Sequence, residues 1–282
     1  RGCEHGCVYC YARPGHETFG LSAGLDFETK IFAKRGAPDR LREELARPAW
    51  AGEPIVMAGV TDCYQAAERA LGLTRRILEL FVECRQPVSL VTKSDLVLRD
   101  LDLLAELGRF GAVKVAISLA ASMEPRAAAP AKRLEAIGRL AAAGVPVVAM
   151  VAPIVPALTD REIPAILEAA AGAGATAAGW VLLRLPHQNR ALFLDWLNRT
   201  RPDAAGRVEQ MIRQTRGGGL YDPTHGTRHR GTGPFAEQIR GLFEVFAARH
   251  GLNRAMAPLS GAHFCRPTAA GQMRLFQDEG SG

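Results

Sequence analysis

Between residues 54 and 185 the chain repeats one rhythm, a short apolar run followed by an amphipathic stretch. That rhythm limits the possible folds more than any other feature. The apolar runs span 54–59, 88–92, 113–119, 145–152 and 179–185. They are near-continuous rather than alternating, as strands are when both faces of a sheet are covered. Between them, helices are expected over 74–84, 99–107 and 131–143. Gly108 and Gly144 close the last two of these. A fourth helix runs to about residue 171 from a capping box of Thr159 and Glu162. Strands alternating with helices pair in parallel through right-handed crossovers. A closed or partial barrel and a flat doubly wound sheet share this local pattern, so periodicity alone permits either.

Ahead of the rhythm stands Cys3-Glu4-His5-Gly6-Cys7-Val8-Tyr9-Cys10, with three cysteines at C-x3-C-x2-C spacing. Gly2 and Gly6 let this backbone bend so that three sulfurs face one place. Thiolates are soft ligands that suit zinc or iron–sulfur clusters. Their number matters: a structural zinc site takes four ligands and a cubane has four irons. Three cysteines leave one iron open to a small molecule. The competing reading is a structural zinc with His5 or His16 as fourth ligand, which makes the chain a metal-binding interaction protein. Disulfides fit poorly, because one of these three cysteines is left over. Residues 11–26 read as an irregular loop and 27–34 as a short extended segment.

The cysteine spacing, with Tyr9 just before the last cysteine, resembles the cluster loop of the radical S-adenosylmethionine (radical SAM) family. Further likeness lies in Gly24-Leu25-Asp26-Phe27-Glu28-Thr29-Lys30, Thr61-Asp62, Tyr64-Gln65, Val91-Thr92-Lys93-Ser94 and Arg230-Gly231-Thr232-Gly233-Pro234. Together they point to an uncharacterised group distantly similar to the spore photoproduct lyase branch. The resemblance implies an α/β fold, a partial (β/α)6 TIM-like barrel with a mainly helical C-terminal extension. It divides the chain at 1–190 and 191–282, with helices expected at 191–199, 203–216 and 234–250. A loop of this kind ordinarily follows a strand, so the barrel's first strand is expected before residue 1, in a longer chain.

The same resemblance implies a [4Fe-4S] cluster on Cys3, Cys7 and Cys10. It implies S-adenosylmethionine chelating the open iron, and cleavage of that cofactor to methionine and a 5′-deoxyadenosyl radical. Active residues of a parallel barrel gather at the carboxyl ends of its strands. There Thr61 and Asp62 stand where many relatives hold the amino group of the cofactor. Lys93 is placed to meet its carboxylate, and Ser118 its ribose or carboxylate. Residues 150–153 and 183–185 are expected against adenine. Cys63 is a candidate hydrogen-atom donor beside the alternative of a small buried thiol. A reductant such as flavodoxin or ferredoxin is implied as a partner.

Composition bears on the substrate. The formal net charge is +6, which suits an anionic partner such as nucleic acid undergoing repair or modification. A small molecule or peptide is the alternative, since arginine and alanine richness also follows from base composition. The glycine-, arginine- and histidine-rich stretch 217–233 reads either as a loop meeting an anion or as a solvated surface loop. No run of about 18 apolar residues suggests a membrane span. Six cysteines without an export pattern suggest a reducing cytoplasm. The tail after Leu259 is expected to be poorly ordered.

Overall fold

The computed structural model describes residues 1–120 and 123–268. Its centre is one parallel sheet of five strands in the order β1-β2-β3-β4-β5. These are β1 (Ile55–Met57), β2 (Val88–Thr92), β3 (Val113–Ser118), β4 (Val147–Ile154) and β5 (Ala177–Leu182). The helices, in chain order, are α1 (Leu25–Thr29), α2 (Ala37–Leu45), α3 (Glu68–Leu71), α4 (Leu73–Cys84) and α5 (Leu101–Arg109). They continue as α6 (Pro130–Ala142), α7 (Ile163–Gly172), α8 (Asn189–Thr200), α9 (Pro202–Gln214) and α10 (Pro234–Arg249). None of the described helices is long and apolar enough to cross a membrane.

Strand order decides between the two architectures that periodicity allowed. A doubly wound sheet reverses its strand order at a switch point, so that helices cover both faces. Here spatial order equals chain order. Every right-handed crossover therefore steps the same way, and the sheet is a partial barrel with its helices outside. Register is regular from β1 to β4: Leu90 pairs Met57 on one side and Val115 on the other. Val115 in turn pairs Val147. The layer between sheet and helices is apolar, with Leu78, Phe81, Leu104, Ile137, Leu140 and Leu167 all fully buried.

A second core binds the C-terminal helices to the barrel. Phe193 and Leu197 of α8 and Val208 and Ile212 of α9 pack with Val155, Leu183 and Leu185. The last two lie just past β5, which ends earlier than the apolar run 179–185 suggested.

Four local expectations are corrected. Thr159 and Glu162 form no capping box. The Thr159 hydroxyl instead accepts from the Val155 amide at 2.9 Å, closing the turn after β4. The stretch 27–34 is not extended, because its first part completes α1. Arg13–Phe19 forms a 3-10 helix rather than an irregular loop. The described part of the tail packs on the barrel: Cys265 N donates to Cys84 O at 2.9 Å, and Phe264 fills the space above Gly52. The remainder of that tail, 269–282, lies outside the described residues.

Candidate active site at the strand ends

The cysteine loop is held from all sides by backbone bonds. Cys3 N donates to Phe27 O at 2.9 Å, and Val8 N to Met123 O at 3.3 Å. Gln65 brackets the entry, accepting from Glu4 N at 3.0 Å and donating to Gly2 O at 3.2 Å. Asn189, at the start of α8, donates to Cys10 O at 2.7 Å. Buried Arg13 donates to Cys7 O at 2.9 Å and to Ala23 O and Gly24 O, and pairs with Glu28 at 2.5 Å. Glu28 also pairs with Arg126. Gly6 sits at φ 70°, and a Cβ there would lie 2.4 Å from the Arg126 guanidinium. A side chain at this position is strained by conformation and would have to displace the end of the Arg126 side chain.

Cys3 and Cys7 are buried and Cys10 half-buried, all as free thiols. Burial pushes Cys3 up to about 11 and raises Cys7 and Cys10, each opposed by nearby donors or cations. Cys7 senses the charges of Cys3, Cys10 and Lys93, so the three sulfurs share one electrostatic neighbourhood with a cation beside it. Among the described residues, no three Cys, His, Asp or Glu side chains converge as a single ion requires. A cubane spreads its thiolates over separate irons and does not ask for that convergence. Each of the two histidines that could serve as the fourth zinc ligand is engaged. His5 Nε2 stands 3.0 Å from Asp62 Oδ2, and His16 Nε2 3.0 Å from Lys30 O. The donor set therefore fits a three-cysteine cluster better than a zinc site.

Beside the loop, the carboxyl ends of β2 to β5 frame a cavity of about 290 Å³. Tyr9 and Tyr11 form its wall on the cysteine-loop side. Lys93 and Ser118 follow β2 and end β3, Met150, Ala152 and Pro153 come from β4, and Val181, Leu182 and Arg184 from β5. Lys93 Nζ donates to Ser118 Oγ at 2.7 Å and lies 5.9 Å from the Tyr9 ring centre. Ser118 Oγ donates onward to Ala152 O at 3.1 Å. Of the residues expected at 150–153, Val151 packs into the main core, while Met150, Ala152 and Pro153 line the cavity. Of those expected at 183–185 only Arg184 does; Leu183 and Leu185 point the other way, into the second core.

Glu124, absent from the sequence reading, organises this corner. Its carboxylate is fully buried, accepts from the Tyr9 hydroxyl, and lies 3.3 Å from Lys93 Nζ and 2.6 Å from Arg133 Nη2. Burial opposes the Lys93 charge, yet Glu124 and Cys7 outweigh it and raise that amine. Burial and Glu124 likewise raise the Tyr9 phenol. Arg133 anchors the acid by donating to Ser118 O at 2.8 Å and Ala120 O at 3.1 Å. A glutamate just past the end of a barrel strand was the only signal in the sequence.

The other expected residues stand apart. Asp62 Oδ1 accepts from Tyr64 N at 2.9 Å and Thr92 Oγ1 at 2.8 Å, while Oδ2 accepts from Lys93 N at 2.7 Å beside His5. Burial opposes the charge, but His5 and those amides hold this carboxyl below its ordinary range. A carboxylate offers about four acceptor positions, and here all are occupied. Asp62 thus joins the cysteine loop to the ends of β1 and β2. Thr61 and Cys63 line a different cavity of about 510 Å³ on the β1 side, with Met57 and Gln65. The structure does not bring Cys63 to the space that holds Lys93 and Ser118, and burial raises its thiol well above the ordinary value.

Comparison with known proteins places these features in context. The family model of the radical SAM superfamily matches residues 1–170. An uncharacterized protein of Mycobacterium tuberculosis is 37% identical over 223 residues, covering 76% of this chain and 66% of its own length. An uncharacterized protein of Methanocaldococcus jannaschii is 31% identical over 168 residues, covering 57% of this chain and 60% of its own length. The chain thus spans less than two thirds of these relatives. Among solved structures, spore photoproduct lyase complexed with dinucleoside spore photoproduct aligns with a TM-score of 0.60 at 16% identity. That alignment covers 88% of this chain and 72% of the other. The same enzyme with bound S-adenosylmethionine and dinucleoside spore photoproduct aligns at 0.54 and 17%.

Proposed function

Because the chain belongs to the radical SAM superfamily, we propose that it carries a [4Fe-4S] cluster on Cys3, Cys7 and Cys10 and binds S-adenosylmethionine in the cavity at the strand ends. The observation that carries this reading is the shared setting of the three thiols and the Lys93–Ser118–Glu124–Tyr9 group. When bound, the cluster supplies the electron that cleaves S-adenosylmethionine to methionine and a 5′-deoxyadenosyl radical, which takes a hydrogen atom from the substrate.

The protein's own residues prepare that site. Lys93, kept protonated by Glu124 and aimed by Ser118, offers a charge-assisted bond to the cofactor carboxylate. Tyr9, fixed by Glu124, closes the wall between thiols and cavity. Met150, Ala152 and Pro153 give an apolar surface for adenine. Arg13, Gln65 and Asn189 hold the cysteine loop in place. Asp62 serves that framework; Thr61 and Cys63 receive no role in the cavity.

A reductant such as flavodoxin or ferredoxin completes the proposal. For the substrate we favour nucleic acid, supported by the net charge of +6 and by the dinucleoside complex of spore photoproduct lyase. A small anionic metabolite is the second reading, favoured by the modest size of the cavity, about 290 Å³.

The test is anaerobic reconstitution with iron and sulfide, followed by dithionite and S-adenosylmethionine. Wild-type protein is expected to yield 5′-deoxyadenosine on chromatography. Cys7→Ser should abolish cleavage and lower bound iron together. Bound stoichiometric zinc with no cleavage would overturn the proposal.

A further inference from the structure

The far side of the cavity carries a second cationic corner. It is built from Arg184 after β5 and His229 of the C-terminal extension, which line the cavity, with Arg216 and Arg228 beside them. Arg184 Nη1 lies 2.9 Å from His229 Nε2, and its guanidinium stands 5.7 Å from the Tyr11 ring centre. A guanidinium has no acceptor. His229 Nε2 must therefore accept, which leaves the imidazole neutral with its proton on Nδ1. Burial, and then the charges of Arg184, Arg228, Arg230 and Arg216, depress this histidine in agreement.

Among the described residues no carboxylate lies within ion-pair distance of Arg184, Arg216, Arg228 or Arg230. The Nε groups of Arg184, Arg216 and Arg228 are buried without an acceptor. Arg216 has an architectural reason to be there. It donates to Leu182 O at 3.3 Å, Leu183 O at 2.6 Å, Thr227 O at 3.2 Å and Arg228 O at 3.0 Å. It bolts the 227–228 segment to the end of β5. Gly231 completes the seam, since a Cβ there would meet Leu182 at 2.7 Å and Thr215 O at 2.9 Å. Arg184 makes no such set of carbonyl bonds, yet it and His229 line the cavity. Arg184 is half-buried with its Nε donor unpaired and no carboxylate in contact, the setting in which a cation gains most from an anion that joins it.

We propose that Arg184 and His229, backed by Arg228, dock a phosphate group of the substrate. The inference rests on the radical SAM reading in one respect: that reading assigns the cofactor's single carboxylate to Lys93. Lys93 follows β2 and is engaged by Ser118 and Glu124, whereas Arg184 follows β5 and is engaged by His229, so the two cations enter the cavity from different walls. With that carboxylate assigned to Lys93, the Arg184 cation is left for a different ligand. Phosphate oxygens match the paired N–H groups of arginine.

The test is equilibrium titration of the full chain, without reductant, at fixed low salt. The probes are thymidylyl-thymidine, its uncharged methylphosphonate analogue and inorganic phosphate, with S-adenosylmethionine affinity measured in parallel. The phosphodiester is expected to bind more than about tenfold tighter than the methylphosphonate, the loss that goes with one charge-assisted bond. Arg184→Gln should erase that preference and leave S-adenosylmethionine affinity unchanged; Arg184→Lys should restore part of it. Arg109→Gln, the same charge removed at a distant exposed site, should change nothing. Binding of inorganic phosphate alone, lost in Arg184→Gln, supports the site and assigns it to a small phosphorylated metabolite. Equal binding of the charged and neutral dinucleotides together with no inorganic phosphate binding, or an undiminished preference in a folded Arg184→Gln, overturns the inference. So does loss of S-adenosylmethionine affinity in that variant, which would give the pair to the cofactor. No titration depends on cleavage, so failure to form 5′-deoxyadenosine removes the chemistry and not this site.

Discussion

Asp62 shows how a residue's place can be legible while its work is not. Its position after β1 followed from the apolar run before it, and so did the idea of a carboxylate meeting the cofactor's ammonium. What the sequence could not show was competition for its oxygens. The Tyr64 amide is a local partner, but Thr92, the Lys93 amide and His5 come from segments that meet Asp62 only on folding. Asp62→Ala leaves those buried donors unpaired and is expected to cost about 3 kcal/mol. For a chain of this size that is a fall of roughly 6–12 °C in melting temperature. An unchanged melting curve would instead mark Asp62 as a free ligand. Glu124 was invisible for a related reason, because its partners Tyr9, Lys93 and Arg133 are far from it in the chain. Glu124→Gln keeps the shape and removes the charge that balances Lys93 and Arg133. It is expected to weaken S-adenosylmethionine binding about tenfold or more by misplacing Lys93, while Cys63→Ala should leave binding unchanged. Calorimetric titration of both variants separates the two residues.

At the scale of elements, the five strands and the helices between them were readable because periodicity is local. The choice of partial barrel over doubly wound sheet was not, since strand order is a non-local property. The supposed capping box failed for a specific reason: Thr159 was drawn to the Val155 amide instead of to the helix start. The stretch 217–233 could be read only as an irregular arginine-rich loop; its attachment through Arg216 depends on carbonyls past β5. Arg216→Met is expected to release that attachment. Amides of 227–231 should then exchange with solvent about tenfold faster or more, as four carbonyl bonds are lost. Hydrogen-exchange mass spectrometry reads this directly, and β2 and β3 should be unaffected.

Across the whole molecule, the division at residue 190 remains our proposal for how the chain is organised. The extension is not an independent bead, because α8 and α9 share their core with Leu183 and Leu185. The net charge of +6 marked an anionic partner as permissible without saying where it would bind. A nucleic-acid partner is expected to bind with a logarithmic salt dependence close to one unit of slope per phosphate neutralised. Flat binding between low and physiological salt would point to a small metabolite instead. Filter binding of a short single-stranded oligonucleotide across a salt series decides it.

The position of His229 has a further consequence. Tyr9, Lys93 and Ser118 belong to the barrel and its opening loop, whereas one wall of the same cavity comes from a loop more than 200 residues after Cys10. The residues we propose for the cofactor and those we propose for the substrate phosphate are thus supplied by segments far apart in the chain. Under that proposal, changes within 217–233 alter what the cavity accepts while leaving the cysteine loop untouched.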